Sequence, residues 1–148
     1  MFNTICVGYD GSGPSENAVR MACDLADKYH GVVHIVHTPH PETVAFAMGA
    51  VAGYHAAVTM PDPKETQEAA ETLLEKARAT AAAAGQSDVK THIGQGDAAK
   101  ELTEYAKEVK SDLIVTGRRG LGNLTALVMG STSQAVSHHA TCAHLTVT

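Results

Sequence analysis

Five short apolar runs, each ended by turn-forming residues, alternate with longer stretches whose apolar positions recur every three or four residues. Residues 4–9 and 32–37 are near-continuous apolar runs, the pattern of strands buried on both faces. Between them Ala18, Ala22, Leu25, Ala26 and Tyr29 mark one face of a helix that starts near Pro14 and closes at His30-Gly31. After the second run, Thr38-Pro39-His40-Pro41 stops the chain. Residues 42–60 are small and apolar, but Gly49 and Gly53 weaken a helix there, so this stretch reads as a flap or short helix beside the domain, placed to cover a ligand. Asp62-Pro63-x-Glu65 then has the form of a helix start. Its buried stripe is Ala70, Leu73, Leu74, Ala77, Ala81 and Ala84, and Gly85 ends it. Residues 88–93 alternate as an edge strand does, and Asp97 caps a helix with Ala98, Leu102, Tyr105, Ala106 and Val109 inward. A fourth strand over 112–116, a long glycine loop, a helix from Thr132 to about His139 and a last strand over 143–148 complete the chain.

This strict β-α-β-α-β-α-β-α-β alternation predicts one α/β domain over residues 1–148, a three-layer fold with a five-stranded parallel sheet between helices. Right-handed crossovers on a doubly wound path favour the strand order 3-2-1-4-5. In that order strands one and four are neighbours and the path reverses between them. The crevice at their carboxyl ends, where such sheets bind ligands, is then lined by Asp10, Gly11 and Ser12 and by residues 117–120.

Composition narrows the function more than the fold. Hydrophobic residues are 44% of the 148, aromatics 4%, and there is no Trp, so the core is aliphatic. A net charge of −5 without a Lys or Arg run argues against a nucleic-acid or anionic-membrane binder, since both need a basic face. Three cysteines, Cys6, Cys23 and Cys142, form no paired spacing and read as thiols of a reducing compartment. The chain runs from Met1 straight into a strand pattern, with no signal peptide, and the apolar stretch 44–58 is too short to span a bilayer. These features lead to the expectation of a soluble, cytoplasmic protein.

The loop 117–131 carries the candidate chemistry. Gly117 and Gly120 leave bare backbone just past a strand end, and Gly130-Ser131 open a helix whose N–H groups and dipole favour an anion. No Gly-Lys-Ser/Thr follows, so the loop is not the Walker pattern, and its spacing is not that of the dinucleotide motif. Arg118 and Arg119 are candidates for phosphate contacts, which Arg makes bidentately.

The whole arrangement resembles the universal stress protein family over essentially its full length. The resemblance rests on Val7-Gly8-Tyr9-Asp10-Gly11-Ser12, Val36-His37, Gly96-Asp97, the run 111–117, and the spacing Gly-x2-Gly-x9-Gly-Ser from Gly117 to Ser131. It implies an adenine nucleotide alpha hydrolase-like fold, ATP or a related ADP or AMP as ligand with Mg²⁺, and a homodimer. It also implies Asp10 near the adenosine and metal end, and Thr38 offering backbone groups to adenine. Gly117 and Gly120 would border ribose and phosphates, with Gly130, Ser131 and Thr132 on the phosphate tail and Thr116 also among the nucleotide-binding residues. Ala143 after Cys142, and Gly8 in the first strand, stand where family members often carry Pro.

Other chemistry is weaker. The nine histidines form no set with metal-ligand spacing, and Ser12, Ser15 and His37 lack a nucleophile elbow and an ordered acid partner. No residue reads as catalytic. The alternative to a binding module is a slow Mg-dependent ATP hydrolase acting as a timer, for which Asp10 is the candidate acid or base; a scaffold without ligand is a third reading. The strand over 143–148 is an open, alternating edge, and pairing it across a two-fold axis would give the dimer.

Overall fold

The computed structural model describes residues 1–50, 61–121 and 129–148. The elements run β1 (Thr4–Gly8), α1 (Gly13–Tyr29), β2 (Val32–His37), α2 (Pro41–Ala47), α3 (Pro63–Ala83), β3 (Lys90–Ile93), α4 (Ala98–Glu108), β4 (Leu113–Gly117), α5 (Ser131–His139) and β5 (Ala143–Val147). The five strands form one sheet in the order β3-β2-β1-β4-β5, and every pairing is parallel, as the alternation predicts.

Local chemistry explains the boundaries. Ser12 caps α1, its Oγ accepting the N–H of Ser15; Asp62 caps α3 by accepting from Lys64 and Glu65; and Asp97 caps α4 by accepting from Lys100. His30 ends α1 in the left-handed region at φ 55°. β3 begins at Lys90, two residues later than the alternation suggests. Within the stretch read as a flap, residues 41–47 form helix α2, with Pro41 in its first turn. The rest of that reading, from 51 to 60, lies outside the described residues.

Strand alternation divides the core into two layers. Ile5, Val7, Ile35 and Val115 face α1 and α3, where Ala18, Ala22, Leu73 and Ala77 meet them. Cys6, Val36 and Ile114 face α4 and α5, packing on Leu102, Ala106 and Val136. Alanines on the helices let them lie close to the sheet, which is how an aliphatic core with few aromatic rings reaches full burial. No helix among the described residues is long and apolar enough to cross a membrane.

Candidate functional site

A cleft lies on the α4 and α5 side, at the carboxyl ends of β1, β2 and β4. Its volume is about 260 Å³, room for on the order of twenty waters, so it is ligand-sized rather than a packing defect. Three loops converge there because β1 sits between β2 and β4, the point at which the winding direction reverses.

The first wall is the turn after β1. The Asp10 carboxylate accepts twice from Ser12, from its N–H at 3.0 Å and its hydroxyl at 2.6 Å, through Oδ1. Its other oxygen, Oδ2, accepts the N–H of Leu121 at 3.2 Å and so ties this turn to the loop after β4. That close approach requires the glycine at 120, because a β-carbon there would collide with Asp10 Oδ2. Gly117 is needed in the same way: a β-carbon would stand 2.8 Å from Arg119 O and 2.9 Å from Pro14. Both glycines thus bring two loops of the protein together, a use that the bare-backbone reading of the motif overlooks.

The second wall is the start of α5. The Gly130 N–H donates to Arg118 O at 2.9 Å, so this amide is already engaged. Gly130 is the N-cap residue and offers no side chain, unlike Ser12, Asp62 and Asp97 at α1, α3 and α4. Among the described residues nothing accepts from the N–H groups of Ser131, Thr132 and Ser133 at the α5 start. These donors, with the positive end of the helix dipole, border the cleft.

The floor is Thr116, at the end of β4. Its hydroxyl lies 3.0 Å from Ser133 Oγ and 2.9 Å from His144 Nε2 on β5. Burial holds the His144 pKa below the ordinary imidazole value, so the ring is neutral at neutral pH. On the opposite side of the sheet His37 donates through Nδ1 to Tyr9 O at 2.8 Å and pins the ends of β1 and β2 together. Burial lowers its pKa too.

Of the residues singled out from sequence, Asp10, Thr38, Thr116, Gly117, Arg119 and Gly120 line the cleft. Gly130, Ser131 and Thr132 line it as well. Gly11, Ser12 and Arg118 are not part of its lining. Gly11 has φ 86° and faces Leu73 and Phe46 in the other layer, Ser12 is spent as a helix cap, and Arg118 bridges β5 to Gly130 through its backbone. Arg119 enters none of the ion pairs among the described residues. Residues 122–128 of the loop lie outside the described residues.

Sequence reading missed His40 and the contributions of Ala98, Leu102 and Ser133, whereas Glu42 and Thr43, at the start of the stretch read as a flap, do line the cleft. Ala98 and Leu102 look like any core stripe, and only the sheet order reveals that this stripe runs to the cleft. Pro41, which suits a first helical turn, was the available signal for α2.

The donor set does not make a metal cage: among the described residues no three His, Cys, Asp or Glu side chains converge. Asp10 accepts three hydrogen bonds from the protein, so it is a brace between loops rather than a base aimed into the cleft. What the geometry can do is hold an anion by backbone donors at one end and a polar or apolar group between Leu102 and Thr38 at the other.

Comparison with known proteins agrees with this architecture. A profile of the universal stress protein family matches residues 1–148. The universal stress protein YxiE of Bacillus subtilis is 31% identical, with 99% of each chain covered. Among solved structures, a universal stress protein in complex with cAMP is 26% identical at a TM-score of 0.70, covering 99% of this chain and 97% of the other. UspA from Lactobacillus plantarum shares the fold at a TM-score of 0.73 and 22% identity, with 99% and 97% covered. With the sheet order, the cleft at the reversal point and a family match over its whole length, this chain belongs to the universal stress protein family.

Proposed function

We propose that this protein is a regulatory binding module for an adenine nucleotide, ATP in the first place, with ADP or AMP as the related forms. The single observation that carries this reading is the uncapped start of α5: N–H groups at Ser131 and Thr132 that have no partner among the described residues border a cleft that also holds Arg119. A phosphate group would supply the cap that the chain omits there. The solved relative in complex with cAMP supports an adenine nucleotide in particular. Thr38 and Leu102, at the far side of the cleft, would border the base.

Mg²⁺ would arrive with the phosphates, because among the described residues no three metal-ligating side chains converge to hold it alone. The binding reading is preferred to hydrolysis because Asp10 accepts three hydrogen bonds from the protein and serves as a brace between two loops. β5 lies at one edge of the sheet, and we read the assembly as a cytoplasmic homodimer paired along that edge. Mass spectrometry of the small molecules released from the purified, denatured protein tests the proposal. An adenine nucleotide at a stoichiometry approaching one per chain is expected; after reloading with ATP, ADP, AMP or cAMP and desalting, retention of none of them would refute it.

A further inference from the structure

Four polar side chains behind the cleft form a ring of contacts whose hydrogens can be assigned by elimination. Ser137 Oγ lies 3.0 Å from Ser133 O, and a carbonyl only accepts, so the single Ser137 hydrogen goes there. Ser137 Oγ must then accept from His144 Nδ1, 2.9 Å away, which places the ring proton on Nδ1. In the neutral ring Nε2 is therefore the acceptor, and the hydrogen on Thr116 Oγ1 points to it. Thr116 Oγ1 can then only accept from the Ser133 hydroxyl at 3.0 Å. Every hydroxyl hydrogen in the ring is spent inside the protein, so Thr116 and Ser133, which line the cleft, have only lone pairs left to offer a ligand.

We propose that His144 is a positioning residue that sets this polarity, so that the cleft floor accepts a hydrogen bond from a hydroxyl or amino group of the bound ligand. The inference rests on the nucleotide-binding reading and adds the chemistry of one subsite to it. A nucleotide has two sources of such a hydrogen, the ribose hydroxyls and the amino group of the base. Phosphate oxygens, which only accept, are excluded from this floor and directed to the amides at the start of α5, Ser131 and Thr132. The neutral state that the assignment needs agrees with the burial of His144. β4 carries no titratable side chain, α5 carries only His138 and His139 in its last turn, and α1 packs on the opposite face against Leu145 and Val147.

The test compares dissociation constants for ATP, 2′-deoxy-ATP, 3′-deoxy-ATP and ITP on the wild-type protein, His144→Phe and His144→Gln. On the wild type, the analogue lacking the recognised donor should bind about tenfold more weakly than ATP, which identifies the source of the hydrogen. That penalty should largely vanish in His144→Phe, where Thr116 is free to turn its hydrogen outward. It should return in His144→Gln, whose side-chain oxygen can still accept from Thr116. Equal binding of all four nucleotides to the wild type, or an unchanged penalty in His144→Phe, would overturn the inference and leave the proposed function standing. Binding of none of them would overturn both. Nitrogen NMR of the wild-type protein needs no variant: His144 protonated on Nδ1 supports the assignment, and the Nε2–H tautomer refutes it.

Discussion

Asp10 Oδ2 accepts the backbone N–H of Leu121 at 3.2 Å, joining residues 111 positions apart in the chain. With its other oxygen on Ser12, this one carboxylate holds the turn after β1 against the loop after β4, and the cleft opens between them. Asp10→Ala removes the acceptor from three protein hydrogens at once. We expect a loss of about 1–3 kcal/mol in urea unfolding, together with weakened nucleotide binding. Unchanged stability would show that the two loops hold their places without this brace.

The glycines of the loop differ in what they do, and alanine separates them. At Gly120 a β-carbon would collide with the Asp10 carboxylate, so Gly120→Ala must displace the group that braces the two loops. At Gly130 the nearest atoms to such a carbon are Arg118 O and Arg119 Cα, both at 3.4 Å, an ordinary contact. Gly130→Ala should therefore keep the wild-type melting temperature within a degree or two, whereas Gly120→Ala should lower it by several degrees. Calorimetric melting of the two variants checks the order, and the reverse order would contradict the packing described.

Tyr9 is 3% exposed, and its hydroxyl has no hydrogen-bond partner among the described residues. Burial, reinforced by the nearby Glu16 and Asp10 charges, pushes its pKa up, so the group stays neutral. A buried hydroxyl without a partner has a desolvation cost and no return. Tyr9→Phe should therefore leave stability equal to the wild type or raise it, by up to about 1 kcal/mol, as read by chemical denaturation. A clear loss would mean that the hydroxyl has a partner.

Three imidazoles, His34 and His37 buried and His144 half-buried, give the stability a pH dependence of definite sign. His34, His37 and His144 all have pKa values lowered by burial from the ordinary 6.5, with Lys90 adding to the effect at His34 and His40 at His37. The unfolded chain thus binds more protons than the folded one as pH falls, so unfolding is favoured by acid. Stability from these groups is complete above the unfolded pKa and is lost as pH falls below 6.5 toward the folded values. Urea midpoints measured from pH 7.5 downward should fall, and His34→Gln should flatten part of the slope. Cys6 and Cys23, whose thiols burial pushes up to about 11, should stay unreactive to thiol reagents throughout this range.

The fold was readable from sequence because its signals are local and repeated. Val7, Ile35 and Ile114 sit in runs that only a doubly covered strand tolerates, and Pro63 with Asp62 announces a helix start. The site was readable only in outline. Gly117, Gly120 and Gly130 mark where a loop needs space, but the residues that fill that space, Pro14, Asp10 and Arg118, come from contacts that spacing does not encode. His144 was the least visible. In sequence it is one polar residue in an edge strand, and its role depends on Thr116, Ser133 and Ser137 meeting it across β4 and α5.

The most direct test of the central claim is equilibrium dialysis of the protein against labelled ATP with Mg²⁺, with Gly130→Val beside it. A β-carbon at residue 130 finds ordinary contacts, so that variant should fold while its branched side chain obstructs the start of α5. The account predicts saturable binding of one ATP per chain that Gly130→Val reduces at least tenfold; no saturable binding by the folded wild-type protein up to millimolar ATP would contradict it.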